Sequence, residues 1–359
     1  MIKFTDRQWD RVIENYRLWR KGELGRPILP CVFWGADPDR SEPPYKPLCF
    51  ENCADFSFTP AQIIDRADYN LSCLEFAGDS YPNFWVNFGA GVLAAFLGAE
   101  LHSTKETVWF HPKKILPLKE LHFEYNSGNV WFNRIQAIYE AGMKKWRGQV
   151  VLGMTDLGGV LDVLASLRTT ENLLTDLLDE PDEVLRLVKE IHGIWFQYYG
   201  VFNQILQGQR GYTDWAGIYS ERPSYMLQCD FSYMISPEMF SEFVMWELED
   251  AAKRLPNAFY HLDGVGQLPH LPQLLRSENI TGIQWVPGDG EPVTRDWSGV
   301  YKQISEAGKK IQAFYGLDSY LDEILQVIKR PDDLVKGTFG YPIARRTEIM
   351  KRLAAYGAD

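Results

Sequence analysis

At 359 residues, 45% hydrophobic and 24% charged, the chain is long enough for one large folded unit and has an ordinary globular balance, which excludes an intrinsically disordered class. A net charge of −11, with no window that gathers Lys and Arg, excludes nucleic acid as a partner, because a phosphate-backbone binder releases counterions with clustered cations. No stretch approaches ~18 uninterrupted apolar residues and the amino terminus lacks the apolar core of a secretory signal, so a soluble, cytoplasmic protein with no membrane partner is expected.

In chain order, MIKFTDRQWDRVIENYRLW alternates charged and apolar residues at helical spacing. Short apolar runs bounded by turn residues then predict strands at Ile28–Trp34, Asn70–Phe76, Gln149–Thr155, Tyr225–Asp230, Ala258–His261, Thr281–Val286, Ile311–Tyr315 and Leu334–Phe339. Stretches of helical period fall between most of them, at Glu183–Tyr199, Pro237–Arg254, Leu268–Arg276, Trp297–Ala307 and Ser319–Ile328. Ser236-Pro237-Glu238 carries a capping Ser, a Pro at the first helical position and an acid in the first turn. Eight alternating units at this length predict an α/β chain folded as a single (β/α)8 TIM barrel over residues 1–359. The Trp-, Phe-, Gly- and Pro-rich stretch at about 81–145 reads as a long insertion after the second strand.

Catalytic groups of such a barrel collect at the C-terminal ends of its strands. Alternation along Tyr260-His261-Leu262-Asp263-Gly264 turns His261 and Asp263 to one side of a strand end, where they suit a divalent metal or a carboxylate-oriented general acid or base. Asp79, Asp156, Asp230 and Asp318 also follow predicted strands and would line the same mouth, with Asp156 and Asp230 the preferred pair. Aromatics make up 14% of the chain, and Trp34, Trp85, Trp109, Trp215, Tyr219 and Trp285, with Gln284, are candidate walls for a planar or sugar-like substrate. Arg345, beside Arg346 after the last strand, is a candidate anion contact. The cysteines Cys31, Cys49, Cys53, Cys73 and Cys229 are odd in number and scattered, and read as reduced thiols. Neither GxGxxG nor a Walker loop is present, so a cofactor would be a metal or belong to a partner.

Four segments in order, VVLGMTDLGGVLDVLASLRTTENLLTDLLDEPDEVLRLV, LQCDFSYMISPEMFSEFV, FYHLDG and YGLDSYLDEIL, resemble the uroporphyrinogen decarboxylase superfamily, which includes zinc methyltransferases acting on cobalamin-linked methyl groups. The resemblance spans nearly the whole chain and places Asp79 near the family's catalytic Asp. Where decarboxylase members carry porphyrin-gripping Arg, this chain reads RPILPCVFWGADPDR; where methyltransferase members bind zinc with His-x-Cys and a later Cys, it has His261-x-Asp263 and no Cys after Cys229. The resemblance therefore implies a divalent metal, zinc first, held by His261 and Asp263 with a third donor from Asp230 or Glu348. It implies a methyltransferase that passes a methyl group from a small methoxylated substrate to a corrinoid held by a partner protein, and a homodimer. Two alternatives stay open: a metal-assisted lyase, hydrolase or decarboxylase acting on an aromatic or sugar-like molecule, and a barrel that binds a ligand without catalysis.

Overall fold

The first helix, Asp6–Lys21, starts where Thr5 and Gln8 form a reciprocal capping box, and its buried face of Trp9, Val12, Tyr16 and Trp19 sets one end of the molecule. In this computed structural model, residues 1–359 are described except 47, 49–52, 293–294, 315–316 and 318–319. Cys49, Asp318 and the ends of two predicted elements at Tyr315 and Ser319 lie outside the described residues.

The architecture is mixed α/β. Strands β7 (Met226–Gln228), β8 (Phe259–Asp263), β9 (Gly282–Val286), β10 (Lys310–Ala313) and β11 (Leu334–Lys336) form one parallel sheet in the order 11-10-9-8-7. Helical segments separate these strands at Pro237–Phe240, Ser241–Met245, Trp246–Arg254, Leu271–Arg276, Ser298–Glu306 and Leu321–Val327. The Ser236 side chain caps the first of them by accepting from the Met239 amide.

β1 (Pro30–Trp34) lies parallel to β12 (Phe339–Pro342) and antiparallel to β2 (Leu74–Gly78). β3 (Asn83–Trp85) pairs in parallel with β6 (Val151–Gly153), and β4 (Glu100–Ser103) with β5 (Val108–His111) forms a separate hairpin. These ladders do not join into a closed eight-stranded barrel: the described strands fall into four sheets. A bridge between Ile28 and Val335 ties the segment leading into β1 to β11, and the Met154 N–H after β6 donates to the Thr213 carbonyl.

Two expectations change in position. Asn70–Phe76 divides between helix Pro60–Ser72 and β2, because Thr59-Pro60 starts a capped helix whose period runs through Ser72. The parallel strand that follows β1 in chain order is β3, inside the stretch expected to be an insertion.

Ile28, Val151, Met226, Phe259 and Val335, at or near the starts of parallel strands, pack with Trp9, Val12, Tyr16 and Trp19 in one apolar cluster. The first helix thus covers the N-terminal ends of the strands, and the C-terminal ends are left to form a site. Among the described residues, Cys31, Cys53, Cys73 and Cys229 form no disulfide, and no helix is long and apolar enough to cross a membrane.

Candidate functional site

A cleft of about 900 Å³ opens where β3, β6, β7 and β8 end. Trp85 closes β3, Asp156 follows β6, Gln228 ends β7 with Asp230 two residues on, and His261 stands on β8, all on the cleft wall. Trp109 of the hairpin and Trp215 complete its aromatic sides. Among the described residues, the indole N–H groups of Trp85 and Trp215 have no hydrogen-bond partner.

His261 is fixed from behind by a row of amides. Strand register sets Gln228, His261, Gln284 and Gln312 side by side across β7, β8, β9 and β10. The direction of the hydrogen bonds along this row follows from its far end. The Gln312 amide nitrogen donates to the Ala216 carbonyl at 2.8 Å, which can only accept. The Gln312 oxygen therefore receives the Gln284 amide at 2.6 Å, and the Gln284 oxygen faces Nδ1 of His261. Nδ1 carries the proton, so Nε2 is the atom presented to the acids. Trp215 meets the imidazole edge to face at 5.0 Å.

Nε2 of His261 lies 3.8 Å from Oδ2 of Asp263, and one donor atom each from Asp230, His261 and Asp263 falls within 4.8 Å of the others. The alternation that turns His261 and Asp263 to one side is seen in β8, and Gly264 lets the chain turn directly after it with φ of 87°. Burial would lower the His261 pKa, but the Asp263 carboxylate close to Nε2 and the charge of Asp230 outweigh it and raise it. Solvent reaches Asp230 through the cleft, yet protein surrounds it on its other sides, and that burial with the Asp263 charge raises its pKa against the pull of His261.

Asp156 is buried, and its Oδ1 takes the Gly158 amide at 2.8 Å, the Tyr225 hydroxyl at 2.9 Å and the Gln228 amide at 3.4 Å. Burial pushes its carboxyl up to about 6 despite the bonds from Tyr225 and Gly158. Asp162, which the sequence analysis passed over, accepts the backbone amides of Asp230 at 3.0 Å and Phe231 at 2.7 Å and so holds the loop that carries Asp230. Burial, then the Asp230 charge, push it up to about 7. Its sequence signal was an acid in the first turn of helix Val160–Arg168, which also reads as ordinary helix chemistry.

Other candidates lie elsewhere. Asp79 is fully buried but accepts both guanidinium nitrogens of Arg26 at 2.7 and 2.9 Å, the Leu29 amide and the Asn15 side chain. Because β2 runs antiparallel to β1, the end of β2 emerges beside the first helix, opposite the cleft. Trp34 is exposed on the far side of β1, against Gly340, and does not line the cleft. Tyr219 is packed against Tyr16 and Tyr81 beneath the strands, with its hydroxyl donating to the Arg210 carbonyl. Trp285 is fully buried against Trp297, since β9 turns Gln284 and Trp285 to opposite faces. Gln284 stands behind His261 rather than on the cleft wall. Arg345 lies over Tyr341 and pairs with Glu348 at 2.8 Å, which removes both from the site, and Arg346 pairs with Glu75.

No family model and no curated protein matches the sequence. Among solved structures the chain is similar to a methyltransferase from Methanosarcina mazei, with 14% identity, a TM-score of 0.49, and coverage of 75% of this chain and 80% of that one. That identity is too low to carry residue roles from one chain to the other.

Proposed function

We propose that the chain is a metal-dependent enzyme in which Asp230, His261 and Asp263 hold a divalent ion at the wall of the cleft, and that it moves a methyl group from a small methoxylated substrate to a corrinoid on a partner protein. The metal part is carried by one observation: three donors converge within 4.8 Å, and the imidazole among them has its Nε2 aimed by a backbone-anchored amide relay. Two carboxylates and an imidazole suit zinc and are also acceptable to manganese or iron. When bound, such an ion supplies a Lewis acid for a substrate heteroatom.

The chain's own residues supply the rest. Gln284 keeps the Nδ1 proton in place, Asp162 fixes the Asp230 loop, and Asp156 can hold or release a proton near neutral pH at its Oδ2, which is not among the hydrogen-bonded atoms. The methyl-transfer part rests on the sequence resemblance, and the exposed Trp109 and Met234 on the cleft lining and Tyr233 nearby favour a partner docking over the mouth. In the same reading the parallel strands are most of a (β/α)8 ring in one domain, with the cleft at its mouth.

A second reading, a metal-assisted lyase, hydrolase or decarboxylase, is favoured by Asp156, whose pKa of about 6 suits general acid or base work. Elemental analysis of the purified protein beside His261→Ala and Asp263→Ala separates these. About one equivalent of a divalent ion, lost in both variants, followed by formation of methylcorrinoid from a methoxylated compound, is the expected result. Absence of metal after reconstitution would overturn the proposal, and metal without methyl transfer would leave the second reading.

A further inference from the structure

We infer that the cleft takes a small organic cation whose ammonium head lies against the acidic, aromatic wall while an oxygen of the same molecule reaches the Asp230–His261–Asp263 corner. The inference rests on the reading above only in taking this cleft as the substrate site.

The first support is the balance of charge. Asp156, Asp162, Asp230 and Glu171 all line the cleft, and among the described residues no lysine or arginine does. The nearest guanidinium in sequence to the Asp162–Glu171 wall, that of Arg168, is held at 2.6 Å by Asp176. A divalent ion at the triad would balance the charges of Asp230 and Asp263 and leave Asp156 and Glu171 without a matching cation on the cleft wall. A concave wall of one sign focuses its field on whatever enters. A carboxylate or phosphate would be repelled by this wall and would find no lysine or arginine among its described lining residues, whose basic groups are the imidazoles of His111 and His261.

The second support is the chemistry of the surface between those acids. Trp85, Trp109, Trp215, Phe110 and Phe231 line the same space, and indole faces attract cations, quaternary ammonium groups in particular. An alkylated ammonium needs no hydrogen-bond acceptor of fixed geometry. It needs apolar contact inside a negative field, which this wall combines. The volume of about 900 Å³ has room for a head group and a second functional group at once.

The test compares choline with its neutral isostere 3,3-dimethyl-1-butanol and the anion 3,3-dimethylbutanoate, by titration of tryptophan fluorescence and by calorimetry, with metal content measured on the same samples. Choline is expected to bind about tenfold or more tightly than the isostere, with the anion weakest. At exposed positions, Glu171→Gln is expected to weaken choline severalfold and leave the isostere unchanged, and Trp109→Ala to weaken choline more than it weakens the isostere. Equal or tighter binding of the isostere, preference for the anion, or no binding of any probe at millimolar concentration would overturn the inference. Metal present without charge preference would sink this inference alone, whereas charge preference without metal would sink the metal reading alone.

Discussion

Two ends of the same set of strands carry buried carboxylates, and they differ in what meets them. At the end covered by the first helix, Asp79 has a guanidinium, an amide side chain and a backbone N–H on its oxygens, supplied by Arg26, Asn15 and Leu29. At the open end, Asp156 is pushed up to about 6 by burial with no cation beside it but His261, which Asp230 and Asp263 share. All of these acids follow strands. A closed set of partners fits the first to a structural role, and the lack of a matching cation around a cleft is what supports the proposed chemical role of the second.

The largest effect that would sharpen this contrast is expected at the closed end. Asp79→Ala strands the Arg26 guanidinium and the buried Leu29 N–H, and should cost about 3–5 kcal/mol of stability, read as a lowered denaturant midpoint. A loss under about 1 kcal/mol would show that Asp79 is not the anchor its contacts describe.

Asp156→Asn should behave in the opposite way. A carboxyl raised in the folded state destabilises the fold progressively as pH rises from the ordinary carboxylate range through about 6. Removing it should hold or raise stability at pH 7, by up to about 3 kcal/mol for a shift of this size, while activity falls on the order of 10²–10⁴-fold. Wild-type turnover should itself decline below about pH 6 if Asp156 acts as a base. Stability lost together with activity would place Asp156 with Asp79.

The next effect in size concerns a residue that touches neither cleft nor donor. Gln312→Leu frees the Gln284 amide to rotate, so Nδ1 of His261 loses its fixed acceptor. Metal affinity is expected to fall about 10- to 100-fold in a chelator competition, and Gln284→Glu, which still accepts from Nδ1, should keep most of it. Unchanged affinity in Gln312→Leu would show that the relay is packing only.

How much of this was legible in the sequence follows from the range over which each signal acts. His261 and Asp263 were readable because alternation within one strand is local, and Asp156 and Asp230 because they follow apolar runs that became β6 and β7. Parallel sheet across β7 to β11 was readable from the alternation of strand and helix. The direction of β2 was not, since the same pattern serves parallel and antiparallel pairing, and that one inversion moved Asp79 to the other end. Gln228 and Gln312 were passed over because a lone amide in an apolar run acquires meaning only when register sets it beside His261 or Gln284. Arg345 and Glu348 looked available until a short helical turn put each within reach of the other.

The smallest effect tests whether an imidazole between carboxylates is by itself a sign of chemistry. His192 has Asp250 at 2.7 Å on Nε2 and Glu247 at 3.6 Å on Nδ1, the same groups as at His261, but it joins helix Pro181–Ile205 to Trp246–Arg254 with Phe196 and Trp246 edge-on to its ring. Burial lowers its pKa, and Glu247 and Asp250 together outweigh burial and raise it. A raised imidazole contributes its stability in full below the ordinary histidine value of about 6.5 and loses it as pH rises through the folded-state value. Asp250, held low by His192 and Arg254 against burial, stays ionised throughout that window. The melting temperature should therefore fall by about one degree as pH rises above about 6.5, a loss on the order of 1 kcal/mol, and His192→Phe should flatten this slope without altering metal content or turnover. A change in turnover would show that this helix junction is coupled to the cleft, and the division between the two kinds of imidazole–carboxylate cluster would have to be redrawn.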